Sequence, residues 1–168
     1  MTAPPIAPEH RHDLDRAALR ALVADLAGRP DQWRHLVRSG SGERHFEQLF
    51  RDDHVDVWVI SWMSGNDTGF HDHDVSQGAV AVVEGEIIEE RLLVGRGTAQ
   101  VRHRAGAAFD FDASHVHRMR QDGGSAVSIH AYSPPLWRMG AYAVAADGTL
   151  RRQSISYAEE LRPVEAAA

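Results

Sequence analysis

Between residues 55 and 155 the chain consists of short segments in which side chains alternate along the sequence, separated by Gly, Asp and Ser. HVDVWVISWM, GAVAVVEG and SAVSIHAYS are three of these segments. Successive side chains of a β-strand point to opposite faces, so such segments at a spacing of roughly 8–12 residues predict an all-β sandwich or barrel. We expect the packing to come from apolar positions such as Val57, Val59, Val80 and Val82.

The region before residue 44 has a different period. Apolar residues recur at helical spacing from about Asp13 to Gly28, and a second short helix is predicted from Pro30 to Gly40. Residues 1–12 are rich in Pro and Ala and are predicted to be disordered, and residues 161–168 to be a frayed tail. We therefore expect a single domain over residues 13–160, with N-terminal helices at 13–40 and a β-barrel at 44–155.

Composition excludes several classes of protein. The 168 residues contain no cysteine, so disulfide frameworks, cysteine zinc sites and cysteine nucleophiles are excluded. The net charge of −6, without a basic patch, argues against nucleic acid and anionic membranes as partners. The sequence lacks an apolar run of the ~18 residues that cross a bilayer, and residues 1–13 lack an apolar core of signal-peptide length. We expect a cytoplasmic protein that is monomeric or weakly self-associating.

Histidines are concentrated at two places in the β region. His71 and His73 follow a glycine-rich turn in GNDTGFHDH, and His115 and His117 lie in DASHVHRM. Residues two apart on a strand share a face, so each pair presents two imidazoles side by side. Two such imidazoles are either a metal site that needs a third ligand or an accident of a histidine-rich chain.

The spacing of these histidines resembles the two cupin motifs. Residues 65–73 are similar to the first half of the first motif, and its later glycine is present as Gly85, but the metal-binding Glu expected at 77–78 is missing. The second motif has a Gly followed by a His eleven residues later, which Gly106 and His117 match. This spacing favours His117 over His115 as the third ligand and leaves His115 either in the second sphere of the metal or at the rim of the site.

A third cluster makes the resemblance more specific. Ser128, His130 and Tyr132 share one strand face in SIHAYSPP. A cupin with His-x-His, without the Glu and with this Ser-His-Tyr face before Ser-Pro-Pro, resembles the cysteine dioxygenase family from about Arg44 to Trp137. The resemblance implies a mainly β cupin fold, a double-stranded β-helix or jelly-roll barrel with a short helical cap. It also implies Fe(II) held by His71, His73 and His117.

In that family the Ser-His-Tyr chain directs its Tyr hydroxyl towards the iron, which assigns a catalytic role to Ser128, His130 and Tyr132. The expected reaction uses O2 to oxidise the sulfur of a small thiol carboxylate, cysteine or 3-mercaptopropionate, to a sulfinate. Three neutral imidazoles leave the iron more Lewis acidity for a thiolate than a ligand set with a carboxylate does. Mammalian members link the Tyr to a Cys, but the corresponding residue is Gly78, so no cross-link is expected.

Substrate recognition is predicted from RHFEQLF. Gln48 occupies the place of the arginine that grips the carboxylate in cysteine dioxygenases, a difference that resembles bacterial 3-mercaptopropionate dioxygenases. Arg44, Arg51 or Arg138 could supply the missing charge, and Arg138 is taken with Gln48 as a candidate substrate-binding residue. Two alternatives to a thiol dioxygenase stay open. One is a cupin that binds a metal or small ligand without turnover, and the other is a cupin dioxygenase that acts on carbon.

Overall fold

The computed structural model describes residues 9–40, 42–93 and 95–165 of the chain. One α-helix, α1, spans Arg16–Ala27. Among the described residues eleven strands follow: β1 His45–Arg51, β2 Asp56–Met63, β3 Phe70–Asp72, β4 Gln77–Glu84, β5 Glu86–Leu93, β6 Gly97–Arg104, β7 Ala108–Phe111, β8 His117–Arg120, β9 Ser125–Ser133, β10 Arg138–Val144 and β11 Leu150–Ser156.

These strands form two antiparallel sheets. Sheet A has the order β1-β2-β9-β4-β7, and sheet B has the order β11-β10-β3-β8-β5-β6. Several neighbours in each sheet are distant in sequence, since β2 pairs with β9 and β3 with β10. Closed antiparallel architectures of this kind fill their interior with side chains from both sheets. The mainly β fold predicted from the alternating segments is confirmed.

The central strands of sheet A, β2, β9 and β4, are buried on both of their faces, which explains their nearly continuous apolar sequences. Val57 and Val59 face outwards and pack with Leu19, Val23 and Leu26 of α1. The opposite face packs in the barrel interior, where the buried apolar side chains include Trp62, Val80, Val82, Phe111, Met119 and Tyr132. All four predicted core valines are buried, and the two pairs serve different layers.

The first predicted helix is present, whereas the second is not. Asp15 caps α1 by accepting a hydrogen bond from the Ala18 amide, and Gly28 ends the helix. Residues 30–40 form two 3-10 turns, at Pro30–Gln32 and Arg34–Leu36, instead of an α-helix. Trp33 between the turns is buried and donates its indole N–H to the Leu26 carbonyl, so the chain folds back on α1. In the part of the chain described here, no helix has the length and apolarity to span a bilayer.

Both predicted flexible ends are partly anchored. The amide and ring Nδ1 of His10 both contact Asp52 Oδ2 at 2.8 Å, so the end of the predicted disordered segment is tied to the barrel. Leu161, predicted to be frayed, is buried, and its carbonyl accepts a hydrogen bond from Arg44. Both segments are held by contacts that are remote in sequence. Residues 1–8 and 166–168 lie outside the described residues.

Candidate metal centre and substrate pocket

Three histidines meet inside the barrel. His71 lies on β3 opposite His117 of β8 in the ladder of sheet B, and His73 follows directly after β3. Their ring centroids are 4.7 Å apart for His71 and His117, 4.9 Å for His71 and His73, and 5.2 Å for His73 and His117. One nitrogen from each ring lies within 4.8 Å of the others, which allows them to hold a metal ion. The predicted ligand set is therefore brought together.

The hydrogen bonds around the triad fit a metal. His71 Nδ1 lies 3.0 Å from the Gly69 carbonyl oxygen, and His117 Nδ1 lies 2.9 Å from Glu89 Oε1. The opposite nitrogen of His117, Nε2, is buried without a partner, as is Nδ1 of His73. A buried polar atom without a partner costs roughly 1–3 kcal/mol. An ion at the centre of the triad would remove that cost, so the residues present fit a metal site.

The three imidazoles are neutral. Burial, followed by the proximity of other imidazoles, lowers the pKa of His71 and His73 well below the ordinary value. Burial also lowers the pKa of His117, although the hydrogen bond to Glu89 opposes that shift. A metal ligand must be deprotonated to bind, so the cluster does not have to release protons at neutral pH.

The Ser-His-Tyr face lies on β9, the central strand of sheet A, and forms a continuous hydrogen-bonded chain. Ser128 Oγ is 2.8 Å from His130 Nε2, and His130 Nδ1 is 3.1 Å from the Tyr132 hydroxyl. Trp62 donates its indole N–H to Ser128 Oγ over 2.9 Å. It lies opposite Ala126 of β9 in the register of sheet A, a pairing that the sequence alone does not give.

This chain is buried, and its two titratable members are in their neutral forms. Burial, together with the proximity of His117 and Arg44, lowers the pKa of His130 to about 3. Burial and the proximity of Asp56 raise the pKa of the Tyr132 phenol above its ordinary value. Tyr132 therefore keeps its proton at neutral pH and can donate a hydrogen bond. Its ring centroid lies 5.1 Å from that of His73, which places it beside the triad.

A small cavity of about 70 Å³ opens onto this site. Its walls include His71, His130 and Tyr132, and otherwise mainly apolar and aromatic side chains. Arg44 also lines it, with the guanidinium 4.9 Å from the centre of the Trp62 ring. One arm, Nη2, donates to the Leu161 carbonyl over 3.0 Å, while Nη1 is buried without a partner. The wall of the cavity thus includes a guanidinium, that of Arg44, with one donor nitrogen that has no hydrogen-bond partner.

The sequence of this chain is similar to that of one known protein family. The profile of the family described as "Cysteine dioxygenase type I" matches residues 10–145. The chain belongs to the cysteine dioxygenase family. No curated protein gave a significant match.

Solved structures similar to this chain confirm the cupin fold. TT1209 from Thermus thermophilus is 16% identical with a TM-score of 0.53, covering 61% of this chain and 93% of its own. A cupin superfamily protein from Desulfitobacterium hafniense is 11% identical with a TM-score of 0.52, covering 61% and 87%. A Klebsiella pneumoniae protein with a double-stranded β-helix domain is 18% identical with a TM-score of 0.52, covering 71% and 91%. At these identities the likeness concerns the fold alone.

In this member of the cysteine dioxygenase family, the residues predicted to bind substrate differ in whether they line the cavity. Gln48 is exposed, does not line the cavity, and donates its amide to Asp56 Oδ1 over 2.9 Å. Arg138 is exposed as well and pairs with Asp74 at 2.8 Å. Arg51 is paired with Asp56 at 3.0 Å. Of the three arginines considered from the sequence, Arg44 is the one that lines the cavity.

The structure also places His115, the alternative third ligand. His115 Nε2 lies 2.9 Å from Glu89 Oε1, and its ring packs edge-on against His117 with centroids 4.7 Å apart. It therefore lies behind the triad, one carboxylate removed, and does not join His71 and His73. Sequence reasoning missed Glu89 altogether, because EIIEER reads as an ordinary solvated strand.

Proposed function

We propose that this protein is an iron(II)-dependent thiol dioxygenase that converts the thiol of a small carboxylic acid to a sulfinate. The observation that carries the proposal is the meeting of two arrays at one cavity. A buried triad of neutral imidazoles, His71, His73 and His117, contributes His71 to its wall. The hydrogen-bonded chain that begins at Ser128 contributes His130 and Tyr132. Family membership supports the same activity.

Iron(II) held by three imidazoles would supply open coordination positions for a thiolate and O2. In the overall reaction the sulfur loses four electrons, O2 gains four, and both oxygen atoms end in the sulfinate. The substrate therefore provides all the electrons, and no reducing cofactor is needed.

Arg44 is the residue proposed to bind the substrate carboxylate. Its guanidinium is largely removed from water, its Nη1 donor is unused, and the Trp62 ring and the Leu161 carbonyl hold it in place. A charge-assisted hydrogen bond to a carboxylate is stronger than a neutral one, and more so in a dry site. The small cavity restricts the substrate to a short thiol carboxylate.

Tyr132 is proposed to place its hydroxyl beside the reacting groups. Because its phenol stays protonated and contacts His130 at 3.1 Å, it is a fixed donor rather than a free one. Ser128 and Trp62 hold the imidazole behind it. A positioned donor of this kind stabilises charge that develops during the reaction.

We propose that the enzyme uses 3-mercaptopropionate at least as well as cysteine. A carboxylate in the wall of the cavity would favour a substrate that carries the amine. Glu159 is the acidic residue among those that line it, and it is exposed with Oε1 accepting from the Ser156 amide. A substrate without the amine should therefore lose little binding free energy. We also propose that the enzyme acts in the cytoplasm as a monomer or weak oligomer.

The decisive experiment measures metal content and O2 uptake together, against cysteine, 3-mercaptopropionate and other short thiols. The expected result is about one iron per chain, thiol-dependent O2 consumption, and a sulfinate that carries two labelled oxygens from ¹⁸O2. Bound metal with no O2 uptake for any thiol would instead indicate a binding protein. Uptake with a carbon substrate and none with thiols would indicate a different dioxygenase.

A further inference from the structure

A buried carboxylate lies behind the metal triad and outside the cavity. Glu89, on β5 of sheet B, has no solvent-exposed surface. Its Oε1 lies 2.9 Å from both His115 Nε2 and His117 Nδ1. Its Oε2 lies 2.9 Å from His103 Nε2 and 2.7 Å from Arg91 Nη2. Each oxygen therefore faces two partners, which is the full capacity of a carboxylate.

The groups around Glu89 are themselves held in place. His103 stacks on Phe109 with centroids 3.9 Å apart, and His115 stacks on Phe111 at 5.4 Å. Burial by itself would raise the pKa of the Glu89 carboxyl, but the hydrogen bonds from His103, His115, His117 and Arg91 lower it below the ordinary value. The Glu89 carboxylate is thus held by four donors. It can accept hydrogen bonds from the ring nitrogens but has no proton with which to donate one.

We propose that Glu89 is the positioning residue of the metal centre. It keeps the His117 proton on Nδ1, so that the buried, partnerless Nε2 faces the ion. A carboxylate behind a metal-bound imidazole fixes the ring and makes it a stronger ligand. The negative charge that the ligand triad lacks is thereby present one hydrogen bond further out. This inference rests on the proposed metal centre and does not depend on thiol oxidation.

A second assignment of the same residues is possible, since ligand atoms of Glu89, His115 and His117 also lie within 4.8 Å of one another. The contacts favour the first. The nitrogens of His115 and His117 that face Glu89 are at hydrogen-bond distance from a single oxygen. Among the imidazoles of this cluster, the buried ring nitrogens without partners are His117 Nε2 and His73 Nδ1, and both belong to the triad. The imidazole nitrogens that are free to bind a metal ion therefore lie in the triad and do not face Glu89.

The test compares Glu89→Gln with Glu86→Gln, a control on the same strand whose carboxylate pairs with Arg102 and Arg104 at the surface. An amide keeps the shape of the carboxylate but brings an N–H towards groups that donate. Titration with Co(II) or anaerobic Fe(II) against a competing chelator should show affinity reduced about 10–100-fold in Glu89→Gln. The control should match the native protein.

A second measurement reports the tautomer directly and requires no metal and no turnover. In ¹⁵N-edited NMR of the metal-free native protein, His117 should carry its proton on Nδ1, and Glu89→Gln should contain both tautomers. Native affinity in a folded Glu89→Gln would overturn the proposal. So would an Nε2–H tautomer in the native protein, a result that stands even if the variant fails to fold. If His73→Ala retained metal while Glu89→Gln lost it entirely, the ion would belong to Glu89, His115 and His117.

Discussion

Gly78 of β4 lies directly opposite Tyr132 of β9, and a Cβ placed on Gly78 would be 3.1 Å from Cδ1 of that ring. The same Cβ would be 2.5 Å from Cζ of Phe111, closer than carbon atoms approach without displacement. Phe111 thus fills the space that a side chain at residue 78 would need. The register places Gly78 across from the tyrosine, and the position of Phe111 shows why a larger residue is not accommodated there.

The first prediction follows from that contact. Gly78→Cys should lower the free energy of unfolding by about 1–3 kcal/mol, because overpacking a filled core forces neighbours from their positions. Urea denaturation gives the measurement. In a Phe111→Leu background the same substitution should lower the free energy of unfolding by less, since the aromatic ring with which the new side chain clashes is absent. Equal costs in both backgrounds would show that Phe111 is not the obstacle.

The second prediction concerns the metal. His71→Ala, His73→Ala and His117→Ala should each lose most of the bound iron, because each removes one of the three proposed ligands from a buried site. His115→Ala should keep far more, since its ring contacts Glu89 and not the centre of the triad. Metal analysis of the purified variants gives the result. Full iron in His117→Ala with loss in His115→Ala would reverse the assignment.

Third, Tyr132→Phe should bind iron normally and turn over roughly 10–1000-fold more slowly, the range for one positioned proton donor. Trp62→Phe, which removes the donor to Ser128 but leaves the phenol, should have a smaller effect on kcat. Iron content and kcat measured on the same samples separate the two roles. Loss of iron from Tyr132→Phe would make the tyrosine a ligand.

Fourth, Arg44→Met should raise KM for thiol carboxylates, because the unused guanidinium donor in the cavity is removed. A loss of about 1–3 kcal/mol in carboxylate binding corresponds to roughly 5–150-fold. Gln48→Arg is the matched comparison, and it should leave the ratio of kcat/KM for cysteine and 3-mercaptopropionate nearly unchanged. If Gln48→Arg shifted that ratio strongly towards cysteine, the anchor would lie at residue 48 as the sequence alignment predicts.

Fifth, Asp52 should stabilise the protein in a pH-dependent manner. Burial would raise the pKa of this carboxyl, but hydrogen bonds from His10, His54 and Val55 together hold it below the ordinary value of 3.8. A lowered pKa means that the stabilisation is complete above about pH 4 and is lost as the pH falls through the lower, folded-state value. Asp52→Asn should therefore be about 1 kcal/mol less stable at pH 5–8.

Thermal or urea unfolding from pH 2 to pH 8 checks this dependence. The difference between Asp52→Asn and the native protein should shrink below pH 4. Asp53→Asn, at the exposed residue that follows Asp52, is a control for the general effect of removing one negative charge. A difference that stays constant down to pH 2 would show that the carboxylate charge is not what matters.

The sequence by itself determined the class of fold and the chemical groups of the site. Ser128, His130 and Tyr132 are placed by the two-residue repeat of a single strand, a local rule that needs no knowledge of the other strands. His71 and His73 keep the same spacing, although β3 ends between them at Asp72. The glycine spacing to His117 added the third ligand through the family resemblance. Helix α1 was predictable for the same reason, since its apolar spacing and its end at Gly28 are local features.

Tertiary structure alone decided which neighbours those groups meet. Arg44 directly precedes β1 and Gln48 lies within it, but the strand is irregular between Gln48 and Phe50, and Asp56 binds the Gln48 amide. Arg44 lies on Trp62 and beside Leu161, which is 117 residues away in the chain. Glu89 meets three histidines through strand pairings that no local pattern encodes. Burial by distant residues, and not residue type, made these side chains part of the site.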